Sequence, residues 1–282
     1  MKIPFTKAHG AKNDFLLTWL QDAPEADLPP IARAICDRHT GVGADGWLLV
    51  KGPTDAEAEG EITLYNSDGS LAEISGNGTR CAAAFLIRHG FAPGVVRIRT
   101  GAGIKTLRLL ERRELWFEFE MNMGRPQVVA ERFALRVGQA ILSPANVEQA
   151  LPPATIDVTL LHVGNPQCAV PVENFDFDWR ALGAAIESHP HFPQRTNVSF
   201  IKPAGPHEIE ARFYERGAGE TMSSGTGSTG AAVAAVLRGM ASSPVRVLTP
   251  AGPIEVRLES GPEGYAFLTG PAEIVAEGEF FM

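Results

Sequence analysis

Two short runs in this chain carry residues suited to holding a small charged ligand. Ser75-Gly76-Asn77-Gly78 and Ser224-Gly225-Thr226-Gly227 each place a hydroxyl and two glycines just before a strongly apolar segment. A helix starting there exposes N–H groups with no intrahelical partner and a partial positive charge. Glycines in that first turn let an anion approach the backbone. The ligand such a place suits is small and bears one or more carboxylates or phosphates. A plainer reading stands beside it, because serine before Gly-x-Gly is also an ordinary helix N-cap. Gly225–Gly230 further fits G-x-G-x-x-G, but the matching run has Cys81 at the third position and no β-α-β pattern surrounds either. The phosphate-loop motif G-x-x-x-x-G-K-[ST] is absent, so a nucleotide ligand is not expected.

The two runs belong to a repeat. Shifting the chain by 149 residues lays Leu64–Leu109 over Phe213–Leu258 without a gap, and 15 of the 46 positions are identical. A period this long implies two similar domains and not a solenoid. In each copy an alternating run comes first, Glu61–Tyr65 and Ile209–Tyr214, which predicts a strand. A glycine-bearing loop follows, then the Ser-Gly-x-Gly turn, then Cys81–Ile87 or Gly230–Leu237, with no polar side chain beyond the thiol. A helix apolar on all sides is buried on all sides. The expected architecture is therefore a curved sheet wrapped round a central helix, twice. Arg88-His89-Gly90 and Arg238-Gly239 read as helix stops. Val95–Arg99 and Leu115–Glu120 supply further strands, and the Pro/Ala-rich Leu142–Ala154 reads as the surface connection between halves.

Composition agrees with a two-core protein and narrows its partners. The chain has 282 residues, 44% of them hydrophobic, with 25 basic and 33 acidic side chains and a net charge of -8. That length suits two cores of about 140 residues each. The acidic balance, with no basic stripe, argues against nucleic acid. No run approaches the roughly 18 apolar residues that cross a bilayer, and the first residues lack the apolar core of a signal peptide. Cys36, Cys81 and Cys168 are too few and too scattered for a disulfide framework or a metal site, and read as buried packing residues. A cytoplasmic protein is expected.

Taken together, the ordered motifs make the chain resemble the diaminopimelate epimerase family almost end to end. They are His9-Gly10-Ala11-Lys12-Asn13-Asp14-Phe15, Asp37–Gly46, Asn66–Ser70 and Ser75–Arg80, followed by Gly164-Asn165-Pro166, Arg195–Val198, Glu215-Arg216-Gly217, Gly225-Thr226-Gly227 and Thr269–Ala272. The resemblance implies an α+β fold of two pseudo-symmetric domains, each a mostly antiparallel barrel round a helix, with the active site in the cleft between them. The expected domains are residues 1–124, completed by 268–282, and residues 125–267. It also implies a homodimer and a cofactor-independent, metal-free reaction that interconverts LL- and meso-diaminopimelate for lysine and peptidoglycan supply. One thiolate removes the α-proton and a thiol on the opposite face returns one. Asn13, Asn66, Asn165, Asn197, Glu215 and Arg216 would bind the distal ammonium and carboxylate. Gly76, Asn77, Gly225 and Thr226 would donate to the reacting carboxylate, where charge grows as the proton leaves.

Three positions depart from the family pattern. The catalytic cysteines fall at Ser75 and Ser224, and Gln167 stands where histidine follows Gly-Asn-Pro. Lys12 is a lesser departure, at a position commonly occupied by glycine. A thiol titrates near 8.5 and is easily acidified at a helix start, whereas a serine hydroxyl needs an adjacent base. Of the usual polar catalytic set only Glu215 remains, so Ser75, Ser224 and Glu215 are the candidate catalytic residues, with Glu73 as another candidate base. Gln167 keeps hydrogen-bonding capacity without acid–base chemistry at neutral pH. The serines fit either a deliberate exchange that traps substrate or a natural variant with shifted chemistry. Relatives on the same fold suggest alternatives: a proline-derivative racemase or dehydratase, or a carboxylate-based isomerase. An amino-acid-binding protein without catalysis is the rival from another class.

Overall fold

The computed structural model describes residues 2–53, 55–137 and 154–282. Two compact units emerge, one of residues 1–122 with 269–282, the other of residues 123–268. The expected connection between halves lies outside the described residues except for its last residue, Ala154, which opens a strand.

The first unit begins with an antiparallel pair, β1 (Lys2–Gly10) and β2 (Asn13–Trp19), followed by helix α1 (Leu28–Cys36). Strand β3 (Gly46–Lys51) runs parallel to β2 and antiparallel to β4 (Gly60–Asn66). The short β5 (Leu71–Ala72) leads into α2 (Gly76–Arg88), after which β6 (Val95–Thr100) returns parallel to β4. Strands β7 (Gly103–Arg113) and β8 (Trp116–Gly124) extend this as antiparallel neighbours. The second unit contains β9 (Gln127–Val137), β10 (Ala154–His162), β11 (Pro166–Pro171), α3 (Trp179–Glu187), β12 (Asn197–Gly205) and β13 (Glu208–Glu215). Then follow β14 (Gly219–Thr221), α4 (Gly225–Leu237), β15 (Val245–Thr249) and β16 (Gly252–Leu258). The last strand, β17 (Ala266–Phe281), pairs antiparallel with β1 through its residues 273–281.

The pairings repeat far beyond the 46 aligned residues. Strand β10 pairs antiparallel with β11, β11 runs parallel to β12, β12 is antiparallel to β13, and β13 runs parallel to β15. That is the order of β1, β2, β3, β4 and β6 in the first unit, with α3 taking the place of α1. Each unit is thus a mostly antiparallel barrel-like sheet round one helix, as the apolar segments lead one to expect. Helix α2 packs on β1, β2, β3, β4 and β6, and α4 on β10 to β13, β15 and β16. Every residue from Gly76 to Ile87, and from Gly225 to Ala235, is buried. A second core lies outside each sheet. Ile31 and Ile35 of α1 pack with Ile3, Leu16 and Trp47, and Trp179, Leu182 and Ile186 of α3 pack with Val158, Val198 and Phe200. The buried Trp47 indole donates to Thr18 Oγ1 at 2.9 Å, and that hydroxyl donates to Pro4 O at 2.9 Å, so this fully buried indole leaves no orphan donor.

The β1–β2 turn shows why glycine suits position 12 and what the lysine there costs. Gly10 pairs with Asn13, and the two residues between them, Ala11 (φ +50°) and Lys12 (φ +61°), are both left-handed. A two-residue hairpin turn of this kind favours glycine, since a side chain there crowds its own backbone. The turn leads directly into Asn13, one of the candidate site residues. Lys12→Gly relieves one strained position and gives back some of that in chain entropy, so it raises unfolding free energy by a few tenths to about 1 kcal/mol. Urea denaturation of both proteins measures the difference.

Candidate active site

The second unit brings together most of the residues expected there. Ser224, in extended conformation (φ -138°, ψ 126°), caps α4 by accepting the Gly227 N–H on its Oγ at 3.1 Å. The same hydroxyl donates to Glu215 Oε2 at 2.9 Å. The other oxygen, Oε1, accepts from the Thr221 hydroxyl at 2.6 Å. Hairpin geometry sets this up: Glu215 ends β13 opposite Gly219, and Phe213 faces Thr221 across the β13–β14 ladder. A Cβ at Gly227 would come within 2.8 Å of Ser224 Oγ and 2.9 Å of Phe213 Cδ1, so only glycine leaves room for the cap.

A second cluster sits at the start of α4. Gln167 Nε2 donates to Asn165 Oδ1 at 2.7 Å and to Thr226 Oγ1 at 3.2 Å, while Asn165 Nδ2 reaches the same hydroxyl at 3.4 Å. Gln167 Oε1 is buried with no hydrogen-bond partner. A buried acceptor left open loses the hydration it would have in water, and an N–H from a ligand would restore it. Asn197 is more committed: its Nδ2 donates to Pro166 O at 3.0 Å and its Oδ1 accepts the Arg216 N–H at 3.0 Å. Among the described residues the exposed Arg216 guanidinium makes one hydrogen bond, to Gln194 O at 3.2 Å, which engages one of its five donors. Glu187, at the end of α3 and 2% exposed, accepts from Arg195 Nη2 at 2.6 Å and from the Gly217 N–H at 3.2 Å. It ties the Arg195–Asn197 and Glu215–Gly217 loops to one helix.

The first unit builds its turn differently. Ser75 (φ -127°, ψ 122°) caps α2 by accepting the Gly78 N–H at 3.1 Å, and its carbonyl takes the Thr79 hydroxyl at 2.7 Å. Among the described residues it has no carboxylate partner. The repeat explains the difference, since the position equivalent to Glu215 is Asn66, and Asn66 Nδ2 donates to Ser70 Oγ at 3.0 Å instead. Glu73 is exposed and lines a groove of about 350 Å³ with Glu61, Arg99 and Thr100, and among the described residues no hydrogen bond ties it to the Ser75 hydroxyl. Asn13 Nδ2 donates to Asp45 Oδ2 at 2.6 Å, and its Oδ1 accepts from Asn77 Nδ2 at 3.2 Å. Asp45 also takes the Asp14 N–H at 3.1 Å and Arg38 Nη2 at 2.8 Å, and so orders its own loop. Burial of Asp14 disfavours its charge, but hydrogen bonds from Arg38 and Lys7 outweigh that and hold its carboxyl below the usual range.

Sequence reasoning overlooked Thr221, Arg80, Glu187 and the Arg38–Asp14 pair. Thr221 was the accessible one, since it sits where a hairpin closing after Glu215 brings it back alongside. The three cysteines stand apart from both turns. All are buried, and burial pushes the Cys36 and Cys81 thiols up to about 12, with Cys168 raised as well. None is a thiolate at neutral pH.

Comparison with known proteins gives one family. A family model described as diaminopimelate epimerase matches residues 5–129 and 159–275. A diaminopimelate epimerase of Paraburkholderia xenovorans is 39% identical over 290 residues, covering 99% of this chain and 98% of its own. One from Pelotomaculum thermopropionicum is 37% identical over 283 residues, with 98% of each covered. Among solved structures, a PhzF-family phenazine biosynthesis protein from Bacillus anthracis aligns over 100% of both chains at a TM-score of 0.73 and 16% identity. A hydroxyproline epimerase from Agrobacterium vitis, with bound trans-4-hydroxy-L-proline, aligns at 0.71 and 16%, over 99% of this chain and 92% of its own. Likeness at that identity establishes the fold.

The lowered Asp14 carboxyl has a pH consequence. Its stabilising share is complete above the unfolded value near 3.9 and is lost as pH falls through the lower folded value. Asp14→Asn is therefore less stable than the parent at neutral pH, and the gap narrows below about pH 4. Urea unfolding of both proteins along a pH series reads this directly; a gap that stays constant to pH 2 would rule it out.

Proposed function

The chain belongs to the diaminopimelate epimerase family, and from that premise we propose that it interconverts LL- and meso-diaminopimelate by removing and returning an α-proton. The observation that carries a mechanism for this chain is the 2.9 Å hydrogen bond from Ser224 Oγ to Glu215 Oε2. A lone serine hydroxyl neither takes nor gives a proton readily at neutral pH. With a carboxylate alongside it becomes a relay. Ser224 Oγ accepts the α-proton while its own proton passes to Glu215 Oε2, so the serine ends intact and the glutamate protonated. Thr221 holds the second carboxylate oxygen and leaves Oε2 directed at Ser224.

Negative charge then spreads from the α-carbon onto the substrate carboxylate. The first-turn N–H groups of Gly225 and Thr226 receive it, and Gly76 and Asn77 offer the equivalent set in the first unit. Gln167 Oε1 accepts an N–H from the ammonium, which ends its isolation. Arg216 takes the distal carboxylate through its open donors, with Asn13, Asn66, Asn165 and Asn197 completing the polar lining. Inversion requires a proton from the other face, and Ser75 is the donor, recharged from water. Among the described residues no carboxylate assists Ser75, so the two half-reactions differ. A second reading, an amino-acid-binding protein without chemistry, draws on that same unassisted serine.

Proton NMR in D₂O separates these readings. Exchange at one epimer outruns inversion in the parent chain. Glu215→Gln lowers that exchange by roughly 10²–10⁴-fold, while the paired Ser75→Cys/Ser224→Cys variant speeds inversion. Diaminopimelate binding with no exchange in either form would leave the binding protein. Turnover of a proline derivative with no diaminopimelate binding would overturn the substrate assignment.

A further inference from the structure

Arg80 lies in the second turn of α2, at the position where the repeat has Thr229. Its side chain is completely buried. Nε donates to Pro271 O at 3.1 Å, Nη2 donates to Asn77 Oδ1 at 2.5 Å, and Nη1 has no partner among the described residues. Among the described residues no carboxylate accompanies the guanidinium, and burial lowers its pKa to about 10, which still leaves it charged at neutral pH. A buried, uncompensated charge is costly to a fold, so packing alone does not account for it. The surroundings are fitted to it nonetheless. A Cβ at Gly270 would stand 3.2 Å from Arg80 Cζ, and one at Gly10 would stand 3.1 Å from Asn77 O and 3.2 Å from Asn77 Cβ. Glycines from opposite ends of the chain make room for this pair.

The contacts form a directed line. Arginine can only donate and an ionised carboxylate can only accept. Between these two ends stand two carboxamides, whose oxygen and nitrogen are alike in shape. Arg80 takes Asn77 Oδ1, so Asn77 Nδ2 faces Asn13 Oδ1, and Asn13 Nδ2 faces Asp45 Oδ2. Arg38, at 2.8 Å from Asp45 Oδ1, pins the accepting end. Reversing either amide would set donor against donor or oxygen against oxygen. We propose that Arg80 is a positioning residue that, acting through Asn77, fixes the polarity of the Asn13 amide and so decides which of its faces a ligand's carboxylate and ammonium can use. As far as it concerns diaminopimelate, this rests on the function proposed above. What the line leaves to a ligand is one N–H of Asn13 Nδ2 and one lone pair of Oδ1, a donor and an acceptor side by side, which suits a zwitterionic amino-acid end.

The test compares the full chain with Arg80→Met, Arg80→Lys, Asn77→Ala and the double variant Arg80→Met/Asn77→Ala. Calorimetry with meso-diaminopimelate gives affinities, and side-chain amide NMR of the ligand-free proteins gives the state of Asn13 and Asn77. Arg80→Met keeps the melting temperature or raises it, yet weakens binding about tenfold. Arg80→Lys, still a pure donor, recovers most of that loss. The double variant binds no more than about twofold worse than Asn77→Ala, because the two residues act in series. In the ligand-free parent the two amides show slowly exchanging protons, and Arg80→Met abolishes this. A folded Arg80→Met that binds like the parent, or a double variant whose losses multiply, would overturn the proposal. If the parent binds no diaminopimelate, the substrate assignment fails and the amide signals alone decide the line, with unchanged signals in Arg80→Met refuting it. Should Arg80→Met not fold, Asp45→Ala removes the accepting end, and unchanged Asn13 and Asn77 signals in that variant refute the line.

Discussion

A helix surrounded by apolar side chains cannot turn its first N–H groups to water, and everything chemical in this protein follows from how that is resolved. Helices α2 and α4 are both buried from their first residue. In each, a serine hydroxyl takes one of those N–H groups, and glycines keep the rest of the turn open to a ligand. The serine is thus an N-cap and a candidate site residue at once. The two roles are not in competition: capping occupies a lone pair of the hydroxyl and leaves its proton available. Ser224 spends that proton on Glu215.

Duplication supplied two such turns, and the equivalent positions then took opposite characters. Glu215 and Thr221 correspond to Asn66 and Ala72, whereas Thr229 corresponds to Arg80. One turn therefore has a carboxylate beside its serine, and the other has a buried cation behind its first residues. A carboxylate promotes proton removal. A guanidinium favours negative charge and can orient neutral amides, but it offers no base. The division is visible in the neighbours as well, since Gln167, Asn165 and Thr226 share hydroxyl and amide contacts in one unit, while Asn13, Asn77 and Asp45 form a line in the other.

The sequence disclosed the repeat, the buried helices and the strands flanking them because these depend on periodicity and on local turn chemistry. The same periodicity understated the repeat. Strands β1 to β3 and β10 to β12 share pairing order without enough identity to align, since a sheet tolerates any apolar residue that fits its pleat. The turn serines were legible, but their partners were less so. Thr221 bonds Glu215 across a hairpin, and Glu187 reaches Gly217 over thirty residues of chain. Arg80 was hidden by its type, because an arginine in a helix is normally read as surface. The close fit of Gly270 and Gly10, where an added Cβ would press on the Arg80–Asn77 pair at 3.1–3.2 Å, shows how a charged residue is accommodated there.

The hydroxyls also change what a helix start can contribute. At such a place a thiol loses its proton largely unaided, because the local positive potential and its own acidity act together. For a hydroxyl the same potential falls far short. The base must then come from elsewhere in the fold, and the element able to bring one is the β13–β14 hairpin, whose register sets Glu215 beside the cap. In that proposal the helix start is left with the task its geometry suits, which is to hold the carboxylate on which charge accumulates. In the proposed reaction, proton transfer and charge stabilisation, which a thiolate would combine at one turn, are divided between a hairpin and a helix, and that division rests on the precision of the hairpin.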